Sequence, residues 1–529
     1  MVSGNGTCEP AVVLVADRTL SAAYKVLFEG IFATMQTTQV PELAMRTFVS
    51  PPVRVDERGR AHTAPLGLRR LEAVLAARAG LSADQVVVTT PEALGRVLGP
   101  SVRVVAVSSS DPLGYGMSNT TTSSFWSGRL YTAHWMDRMM RQIRQAKERF
   151  GFRVVAGGAG AWQYLAHPEQ IEQHGIDVVF DGFVETLGPG IFSDLIAGRP
   201  VGPVVREAQT AVEHVQPIRG GSLLGIIELS RGCGRGCKFC TSSTRRMEHL
   251  DVSTILADLR TNVAAGIRSV VSGSEDLFRY GSRDGRVDFD KLQALLEAMR
   301  QVKGLSFMQI DHANIASIAQ LNDAQLREAR RLLTWEQPTD YLWVNMGVES
   351  ANGHLVAANS PGKIAPYRPE DWEELVLEVA DKTLRTGFYP VISLVLGLPG
   401  ETAGDVRRTL ELVRKLDEKG GVIFPVFYEP LDERRTGRFS LDTMTHEHLD
   451  LYTACYEINF RRVPKLFWDN QRAGGTSWFR RAAMQLLGKM EVRAWRKNFG
   501  RVRDAIDART AALQAGNADV AEGLAGRGS

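Results

Sequence analysis

Short apolar runs, separated by stretches with helical periodicity, most constrain the fold of this chain. Runs such as AVVLVA at residues 11–16 and VRVVAV at 102–107 are apolar at nearly every position. Continuous runs of this kind suit strands that are buried on both faces of a parallel sheet. Alternation of such strands with helices favours an α/β fold.

A first series of these runs predicts an N-terminal domain over residues 1–200. Its strands are predicted at 11–16, 85–89, 102–107, 152–156 and 176–180, with helices at 67–79 and 132–150 among them. The pattern is typical of an open parallel sheet of the Rossmann or flavodoxin type. A Gly- and Pro-rich stretch with weak periodicity predicts a linker at residues 201–221.

A second series predicts a partial (β/α)6 barrel over residues 222–435. Six strands are predicted at 223–229, 269–274, 305–310, 342–347, 389–396 and 422–428, with helices at 252–265, 290–302, 323–333, 369–386 and 403–419. In a parallel barrel the chemistry takes place on the loops at the C-terminal strand ends. Candidate site residues are therefore expected directly after these strands.

The rest of the chain, residues 436–529, is predicted to be helical, with a frayed tail in the last fifteen or so residues. Its segment 461–503 carries twelve Lys and Arg against two acids, with tryptophans interleaved. One helical face is apolar and comprises Phe479, Ala483, Leu486, Met490 and Ala494. Two interpretations stay open: a helix packed on the barrel, or an interfacial helix at an anionic membrane.

Composition narrows the class of protein. Lys and Arg exceed Asp and Glu by only three (63 against 60), which argues against a nucleic-acid partner. No apolar run reaches the length of a membrane span. Five cysteines in 529 residues, three of them clustered, exclude a disulfide scaffold and favour a reducing cytoplasm.

The clustered cysteines carry the strongest chemical signal. Cys233, Cys237 and Cys240 stand at spacings of x3 and x2 on a glycine-rich loop after the first strand of the second series. Three thiolates on such a loop can hold three irons of a [4Fe–4S] cluster and leave the fourth iron open. A structural zinc site needs four ligands, and the nearest candidate, His249, is nine residues beyond Cys240.

This loop resembles that of the radical S-adenosylmethionine (SAM) superfamily. The resemblance implies that SAM binds the open iron and is cleaved by one electron to a 5′-deoxyadenosyl radical. A low-potential donor such as flavodoxin or ferredoxin would supply that electron. Phe239, before the last cysteine, would lie near the SAM adenine.

Three later motifs also resemble this superfamily, each at the end of a predicted strand. Gly273, Ser274 and Glu275 resemble the acidic motif that binds the SAM amino group. Glu349 and Ser350 resemble residues that face the SAM ribose or methionine part. Gly397, Leu398 and Pro399 resemble a turn beside the adenine.

Glycine-bearing turns in the N-terminal domain resemble cobalamin-binding domains that precede radical SAM barrels. The resemblance assigns to cobalamin residues Ser108, Ser109, Gly157, Gly158, Ala159, Gly182 and Glu185. Two departures weaken it. No Asp-x-His-x-x-Gly supplies a lower axial histidine, and the turn at Asp181 lacks the usual first Glu. A domain that kept the fold and lost the cofactor is the alternative.

The resemblance implies a cobalamin-dependent radical SAM enzyme that methylates an unactivated carbon of a lipid, peptide or natural product. Methylthiotransferases need a second cysteine set in the N-terminal half, where only Cys8 exists. Cys455, in an aromatic helical stretch, is expected in the core, and His312, after the third strand, is expected to line the cavity. The alternatives are radical cyclisation, rearrangement or coupling without methyl transfer, and a non-catalytic iron–sulfur sensor.

Overall fold

A computed structural model describes residues 10–208, 210–336, 342–431 and 437–514. The N-terminal domain is built on a six-stranded parallel sheet. Its strands are β1 (Val12–Ala16), β2 (Val86–Thr89), β3 (Val104–Ser108), β4 (Arg153–Gly157), β5 (Val178–Gly182) and β6 (Val204–Glu207), in the order β2-β1-β3-β4-β5-β6. The chain order reverses between β1 and β3. Ligands of such sheets bind at this switch point, outside the carboxyl ends of the strands.

Helices cover both faces of this sheet. Those of five or more residues are α1 (Leu27–Thr34), α2 (Leu66–Arg78), α3 (Met117–Phe125), α4 (Tyr131–Phe150), α5 (Ala161–Ala166), α6 (Glu169–His174) and α7 (Gly188–Ile196). Alternate residues of one strand enter different cores: Val13 packs on one face and Leu14 on the other. The apolar runs are thus buried on both sides, as predicted.

The predicted linker is partly sheet. Val204–Glu207 forms β6 and pairs in parallel with β5, so the N-terminal sheet extends into residues 201–221. The run was missed because it alternates in burial, as an edge strand does, and lies among Gly and Pro. Gly221–Ser222 then pairs with Thr63–Ala64, which ties the connection back to the N-terminal domain.

The second series forms the predicted barrel. Its strands are β7 (Ile226–Glu228), β8 (Ser269–Gly273), β9 (Phe307–Gln309), β10 (Trp343–Glu349), β11 (Tyr389–Leu396) and β12 (Val422–Phe427), paired in chain order within two three-stranded groups. A parallel bridge between His312 and Asn345 joins the two groups. The arrangement is an open, parallel (β/α)6 barrel with its last strand at an edge.

The barrel helices are α8 (Val252–Ala264), α9 (Phe289–Arg300), α10 (Ile315–Ala319), α11 (Asp323–Leu333), α12 (Gly353–Asn359), α13 (Trp372–Arg385) and α14 (Ala403–Lys419). Capping boxes begin α11 at Asn322 and α14 at Thr402, where side chains satisfy the first free N–H groups. Both helices span the residues that the sequence predicts.

Two long helices complete the described chain: α15 (His446–Ala473) and α16 (Trp478–Gln514). Trp495 and Phe499 of α16 join the barrel core with Phe125 of α3. Of the apolar face for which two interpretations were open, Phe479, Leu486 and Met490 are exposed and do not pack on the barrel. Within the described ranges, no helix is long and apolar enough to cross a membrane. The predicted frayed tail lies outside the described residues.

Candidate active site at the barrel mouth

The cysteine loop begins directly after β7 and is shaped by its glycines. Gly232, Gly234 and Gly236 have backbone φ values of +71°, +68° and +68°. Residues other than glycine rarely adopt such values. A Cβ on Gly232 would also lie 2.6 Å from the carbonyl oxygen of Arg246. The glycines therefore allow the tight path that gathers the cysteines.

Hydrogen bonds fix the loop through its carbonyls. The Ser243 hydroxyl lies between the carbonyls of Cys237 (2.7 Å) and Cys240 (2.6 Å) and shares its one proton between them, and Arg279 donates to the carbonyl of Cys233 (2.9 Å). The three cysteines are not in disulfides. Their thiols therefore stay available to a ligand while the backbone is held.

The cysteines lie close enough to influence one another. Burial raises the pKa of Cys240 to about 11, and the charges of Glu275 and of the other two cysteines add to this effect. Burial, with Glu275 and Cys237, also raises the pKa of Cys233. A cationic iron centre would supply the positive charge that three neighbouring thiolates require.

Among the described residues, no three Cys, His, Asp or Glu side chains form a cage for a single metal ion. A cubic [4Fe–4S] cluster instead binds each thiolate to a different iron, so its ligands stand farther apart than those of one ion. A set of three free thiols, with none in a closed cage, fits such a cluster with one open iron.

The acidic motif after β8 divides into a ligand-facing residue and anchors. Glu275 is exposed, and its charge acts on Cys233, Cys240 and His312. Asp276 is buried against Arg235 (2.8 Å), and the Ser274 and Ser230 hydroxyls hydrogen-bond at 2.6 Å. The exposed Glu275 carboxylate is thus placed to receive an ammonium group, while the Ser274 hydroxyl is engaged with Ser230.

Glu349, at the end of β10, has an unusual backbone. Its φ is +64°, and the strand register shifts between Gly347 and Glu349. Lys363 forms a buried ion pair with its carboxylate. A Cβ on Gly347 would lie 2.4 Å from both the Glu349 Oε1 and the Lys363 Nζ. Strain of this kind clusters at functional sites.

Sequence reasoning missed Lys363. Its ammonium is buried beside all three cysteines, and burial lowers its pKa. The Gly362 amide donates to the Arg235 carbonyl at 2.8 Å, and the Lys238 amide donates to the Asn359 carbonyl at 3.0 Å. These bonds bring the loop after α12 against the cysteine loop. No spacing in the sequence signals this, because the partners are more than 120 residues apart.

Ser350, predicted to face SAM, lies within the protein. It is fully buried, and its hydroxyl lies 3.2 Å from that of Thr409 while its carbonyl accepts from the Trp372 indole (3.0 Å). Ser350 anchors the strained end of β10 to α13 and α14.

The turn after β11 is held by hydrogen bonds and lies beside aromatic rings. Gly397 has a φ of +79°, and a Cβ there would lie 2.2 Å from the Phe439 ring. Its amide donates to Glu401 (2.7 Å), and Asn359 donates to the Pro399 carbonyl (3.0 Å). Phe239 packs edge-to-face on Tyr428, with centroids 6.3 Å apart. An aromatic wall therefore lies next to the cysteine loop, while Leu398 is buried.

His312 lines the interior of the barrel, as predicted. Its side chain is 51 % exposed and its Nδ1 lies 3.2 Å from Asp311. The Asp311 carboxylate raises the pKa of His312 to about 9, against an opposing effect of burial. The half-exposed imidazolium therefore lies close enough to Glu275 to interact with its charge.

The carboxyl edge of the N-terminal sheet presents the predicted loops. Gly158 and Ala159 are exposed there, beside Gly157 at the end of β4. Ser109, after β3, is buried and donates to Asp17 (2.8 Å), at the switch point between β1 and β3.

Two of the glycines assigned to cobalamin, Gly158 and Gly182, lie against neighbouring loops. A Cβ on Gly158 would lie 2.6 Å from the Ser108 hydroxyl, and one on Gly182 would lie 2.2 Å from the Glu207 carbonyl. Without a side chain, both glycines allow the neighbouring loops to pack closely.

Polar atoms without partners also lie in the segments that follow β3, β4 and β5, which include α3 and α5. Asn119 Oδ1, Trp126 Nε1, His167 Nε2 and Thr186 Oγ1 are buried and form no hydrogen bond within the described structure. His167 stacks on Tyr115, with centroids 4.5 Å apart. Buried polar atoms normally have partners, so these donors and acceptors suit a polar ligand. They are groups that the amide side chains of a large cofactor such as cobalamin can bind.

Glu185 is not available to such a cofactor. Its carboxylate is buried and forms two hydrogen bonds with Arg231, of 2.7 and 2.9 Å. Arg231 precedes the cysteine loop by two residues. The residue assigned to cobalamin by resemblance thus joins the N-terminal domain to the barrel.

The carboxyl edges of the two sheets face each other. Glu185, after β5, reaches Arg231, after β7. The Phe427 amide, at the end of β12, donates to the Thr121 hydroxyl of α3, which follows β3 (2.7 Å). Two contacts, at the first and the last strand of the barrel, therefore hold the N-terminal edge over the barrel mouth.

Comparison with known proteins agrees with this architecture. Residues 227–413 match the model of the Radical SAM superfamily. An uncharacterized protein of Methanocaldococcus jannaschii is 28% identical over 220 residues, 38% of this chain and 39% of that one. The ribosomal protein uS12 methylthiotransferase RimO of Leptospira biflexa is 25% identical over 224 residues, 39% and 41% of the two chains. The matches thus span about two fifths of these relatives.

Solved structures resemble a larger part of the chain. The radical S-adenosylmethionine methyltransferase TsrM from Kitasatospora setae has been solved with cobalamin and a [4Fe–4S] cluster, and with tryptophan substrate and the SAM analogue aza-SAM. Each has a TM-score of 0.51 and covers 79% of this chain and 72–73% of that one, at 15–16% identity. The likeness extends across both domains and concerns the fold. Because the three cysteines lie within the matched range, residues 227–413 are a radical SAM superfamily domain, the kind that uses a [4Fe–4S] cluster and SAM.

Proposed function

We propose that this protein is a cobalamin-dependent radical SAM methyltransferase that acts on an unactivated carbon of a lipid, peptide or natural product. One observation carries the proposal: the carboxyl edge of the N-terminal sheet lies over the carboxyl ends of the barrel strands, through Glu185–Arg231 and Thr121–Phe427. A cofactor at the first edge would share one cavity with a substrate at the second. The fold of the TsrM methyltransferase, similar over both domains, supports this reading.

When bound, the cluster and SAM would supply a carbon-centred radical, and cobalamin would supply a methyl group. The chain's own residues would bind and orient these groups. Cys233, Cys237 and Cys240 would hold the cluster on a loop whose carbonyls are already fixed. Glu275 would pair with the SAM ammonium, which is a charge-assisted contact.

The remaining side chains of the cavity would order the substrate and exclude water. Phe239 and Tyr428 offer aromatic surface to the adenine. The Lys363–Glu349 pair closes the floor next to the cysteine loop. His312, protonated at neutral pH, can donate a hydrogen bond to an acceptor group of the substrate.

A second candidate function is methylthio transfer, because several sequence relatives are methylthiotransferases. Those matches cover about two fifths to half of each relative. The sole further cysteine of the N-terminal half, Cys8, lies outside the described residues. The product decides between the two, since methylation adds one CH₂ and methylthiolation adds sulfur as well.

The first test is cobalamin binding by the complete chain. The protein is purified without oxygen, reconstituted with iron and sulfide, mixed with hydroxocobalamin and desalted, and its cobalt and visible spectrum are measured. Near-stoichiometric cobalt is expected. A well-folded, cluster-loaded protein without cobalt would contradict the proposal and would favour radical chemistry without methyl transfer from cobalamin.

A matched variant locates the cofactor. Thr186→Val removes a buried hydroxyl without a partner at the sheet edge and is expected to weaken cobalamin binding. Thr453→Val removes another such hydroxyl, on α15 away from that edge, and is expected to leave cobalt unchanged. Equal cobalt in both variants would place the cofactor elsewhere.

A further inference from the structure

The outer face of α16 exposes a stripe of large apolar side chains. Phe479 is 78 % exposed, Leu486 61 % and Met490 57 %, with Trp478 (59 %) beside them. Their spacing of seven and four residues places them in one line along the helix. Grouped exposure of this kind marks an interaction surface, whereas scattered apolar residues do not.

The stripe is not needed for the packing of α16. The opposite side of the helix fills the core with Met484, Trp495, Phe499 and Ile506. Arg480, between the two sides, is held by Glu29 at 2.9 Å. The helix is therefore fixed by other residues, and the stripe remains free to contact a partner.

A groove of about 490 Å³ lies beside the stripe, between α15 and α16. It is lined by Pro464, Lys465, Trp468, Ala482, Gln485, Leu486 and Lys489. Arg481 stacks on the Trp468 ring at 4.5 Å. The groove combines apolar walls with cationic rims, which suits an amphiphile with an anionic head.

Charge identifies the occupant. Lys489, Arg493 and Lys497 continue the stripe at intervals of four residues, and all three are exposed. Segment 461–503 as a whole carries twelve basic and two acidic residues. A second copy would bring the same positive charge to this face and be repelled. An anionic lipid surface would attract these basic side chains.

We propose that the outer face of α16, from Trp478 to Lys497, docks on an anionic lipid bilayer. Phe479, Leu486 and Met490 would enter the interface, with Trp478 at the headgroup level. This role is independent of the proposed function, since it needs no cofactor.

The position of the face leaves the active site open. Met484 packs with Trp343, Val391 and Val422, which stand at or near the amino ends of barrel strands. The cysteine loop lies at the carboxyl ends. Farther along α16, Trp495 packs on Phe125, whose ring contacts Phe427 at the carboxyl end of β12. The helix thus runs along the side of the barrel, and a docked protein would rest on that side, with the cysteine loop at one end of the barrel.

Vesicle sedimentation of the full chain tests the proposal. The probes are vesicles of phosphatidylcholine with phosphatidylglycerol, and vesicles of phosphatidylcholine alone. We expect binding to the anionic vesicles, weakened about tenfold or more in Phe479→Ser/Leu486→Ser/Met490→Ser and in Lys489→Gln/Arg493→Gln/Lys497→Gln. The control is Leu43→Ser in the N-terminal domain, equally exposed at 78 %, which should bind like the parent.

Each other outcome overturns the proposal. Equal binding to both kinds of vesicle, or unchanged binding by the charge variant, would show that α16 does not recognise an anionic lipid surface. Failure to bind any vesicle, together with a dimer in light scattering that the apolar variant converts to monomer, would assign the stripe to a second copy. Cobalt binding by the same samples reports separately on the proposed function.

Discussion

Glu185 and Arg231 form a bidentate ion pair at the boundary of the two domains, with 1 % and 2 % of their side chains exposed. Arg231 also pairs with Glu228 at 2.8 Å. Its guanidinium lies over the Phe183 ring, 4.1 Å from the ring centroid. Although burial opposes its charge, the two carboxylates raise the pKa of Arg231. A residue of the cysteine loop's own strand end is thus held by the N-terminal domain.

Removing this pair should destabilise the whole protein. Glu185→Gln leaves Arg231 buried with one carboxylate instead of two, and breaking a buried pair costs about 3–5 kcal/mol. Urea denaturation measures the free energy of unfolding. The exposed pair of Arg199 and Asp194 serves as control, and Asp194→Asn should change stability by less than about 1 kcal/mol. If Glu185→Gln lowered the free energy of unfolding as little as the control does, the pair would not stabilise the fold.

Cluster assembly should depend on the loop cysteines alone. Cys240→Ser removes one of three thiolates, and we expect reconstituted iron and sulfide to fall far below the parent's content. Cys455 is fully buried in α15 and its pKa is raised by burial, so Cys455→Ser should retain the cluster's visible absorption. Retention of full iron by the Cys240 variant would contradict the assignment.

SAM affinity should depend on the charge of Glu275. Glu275→Gln keeps the shape of the side chain but loses a charge-assisted hydrogen bond, worth about 1.5–3 kcal/mol, so SAM should bind about ten- to a hundredfold more weakly. Equilibrium binding to the cluster-loaded protein measures this. Glu297→Gln, at an exposed position of α9, should bind SAM like the parent. An equal loss of SAM affinity in both variants would exclude a specific contact between Glu275 and SAM.

Two glycines of one turn separate backbone strain from crowding. Gly397 and Gly400 both have positive φ, but a Cβ on Gly400 would lie 3.8 Å from Leu355, whereas one on Gly397 would lie 2.2 Å from the Phe439 ring. Gly400→Ala should cost about 1–2 kcal/mol for strain alone. Gly397→Ala should cost a further 1–3 kcal/mol or so for overpacking. Equal unfolding free energies would mean that Phe439 moves aside.

The protonation of His312 should follow Asp311. Its pKa in the folded protein is raised from 6.5 to about 9. The contribution of protonated His312 to the free energy of unfolding is therefore complete below about pH 6.5 and is lost as the pH rises through 9. Histidine NMR titration should give a midpoint near 9, falling towards 6.5 in Asp311→Asn. An unchanged midpoint would show that another group sets the pKa.

Local pattern predicted most of the fold, because the relevant information is local. The strand 389–396 and the helices 323–333 and 403–419 have the predicted bounds, since apolar runs and caps define them. The edge strand Val204–Glu207 was missed, because one exposed face makes its pattern resemble a linker.

The site was predictable only where spacing encodes it. The cysteine spacing lies within ten residues, whereas Lys363 reaches Arg235 and the cysteines through the fold. Periodicity also indicated that Phe479, Leu486 and Met490 share a face, but not what covers it. Their exposure reflects tertiary packing, in which Met484 and Trp495 occupy the inner side instead.

The hydrogen bond from Phe427 to Thr121 has a consequence for the solubility of any shortened form. β12 is the last strand of an open barrel, and α3 lies along it with Phe125 packed on the Phe427 ring (5.8 Å). An uncovered edge strand offers unpaired backbone groups that template aggregation. Asn459 of α15 pairs the backbone of Ile423 near the start of β12, so the N-terminal domain covers the carboxyl end of this edge. A barrel expressed without that domain would expose the carboxyl end of β12 to pairing with other chains.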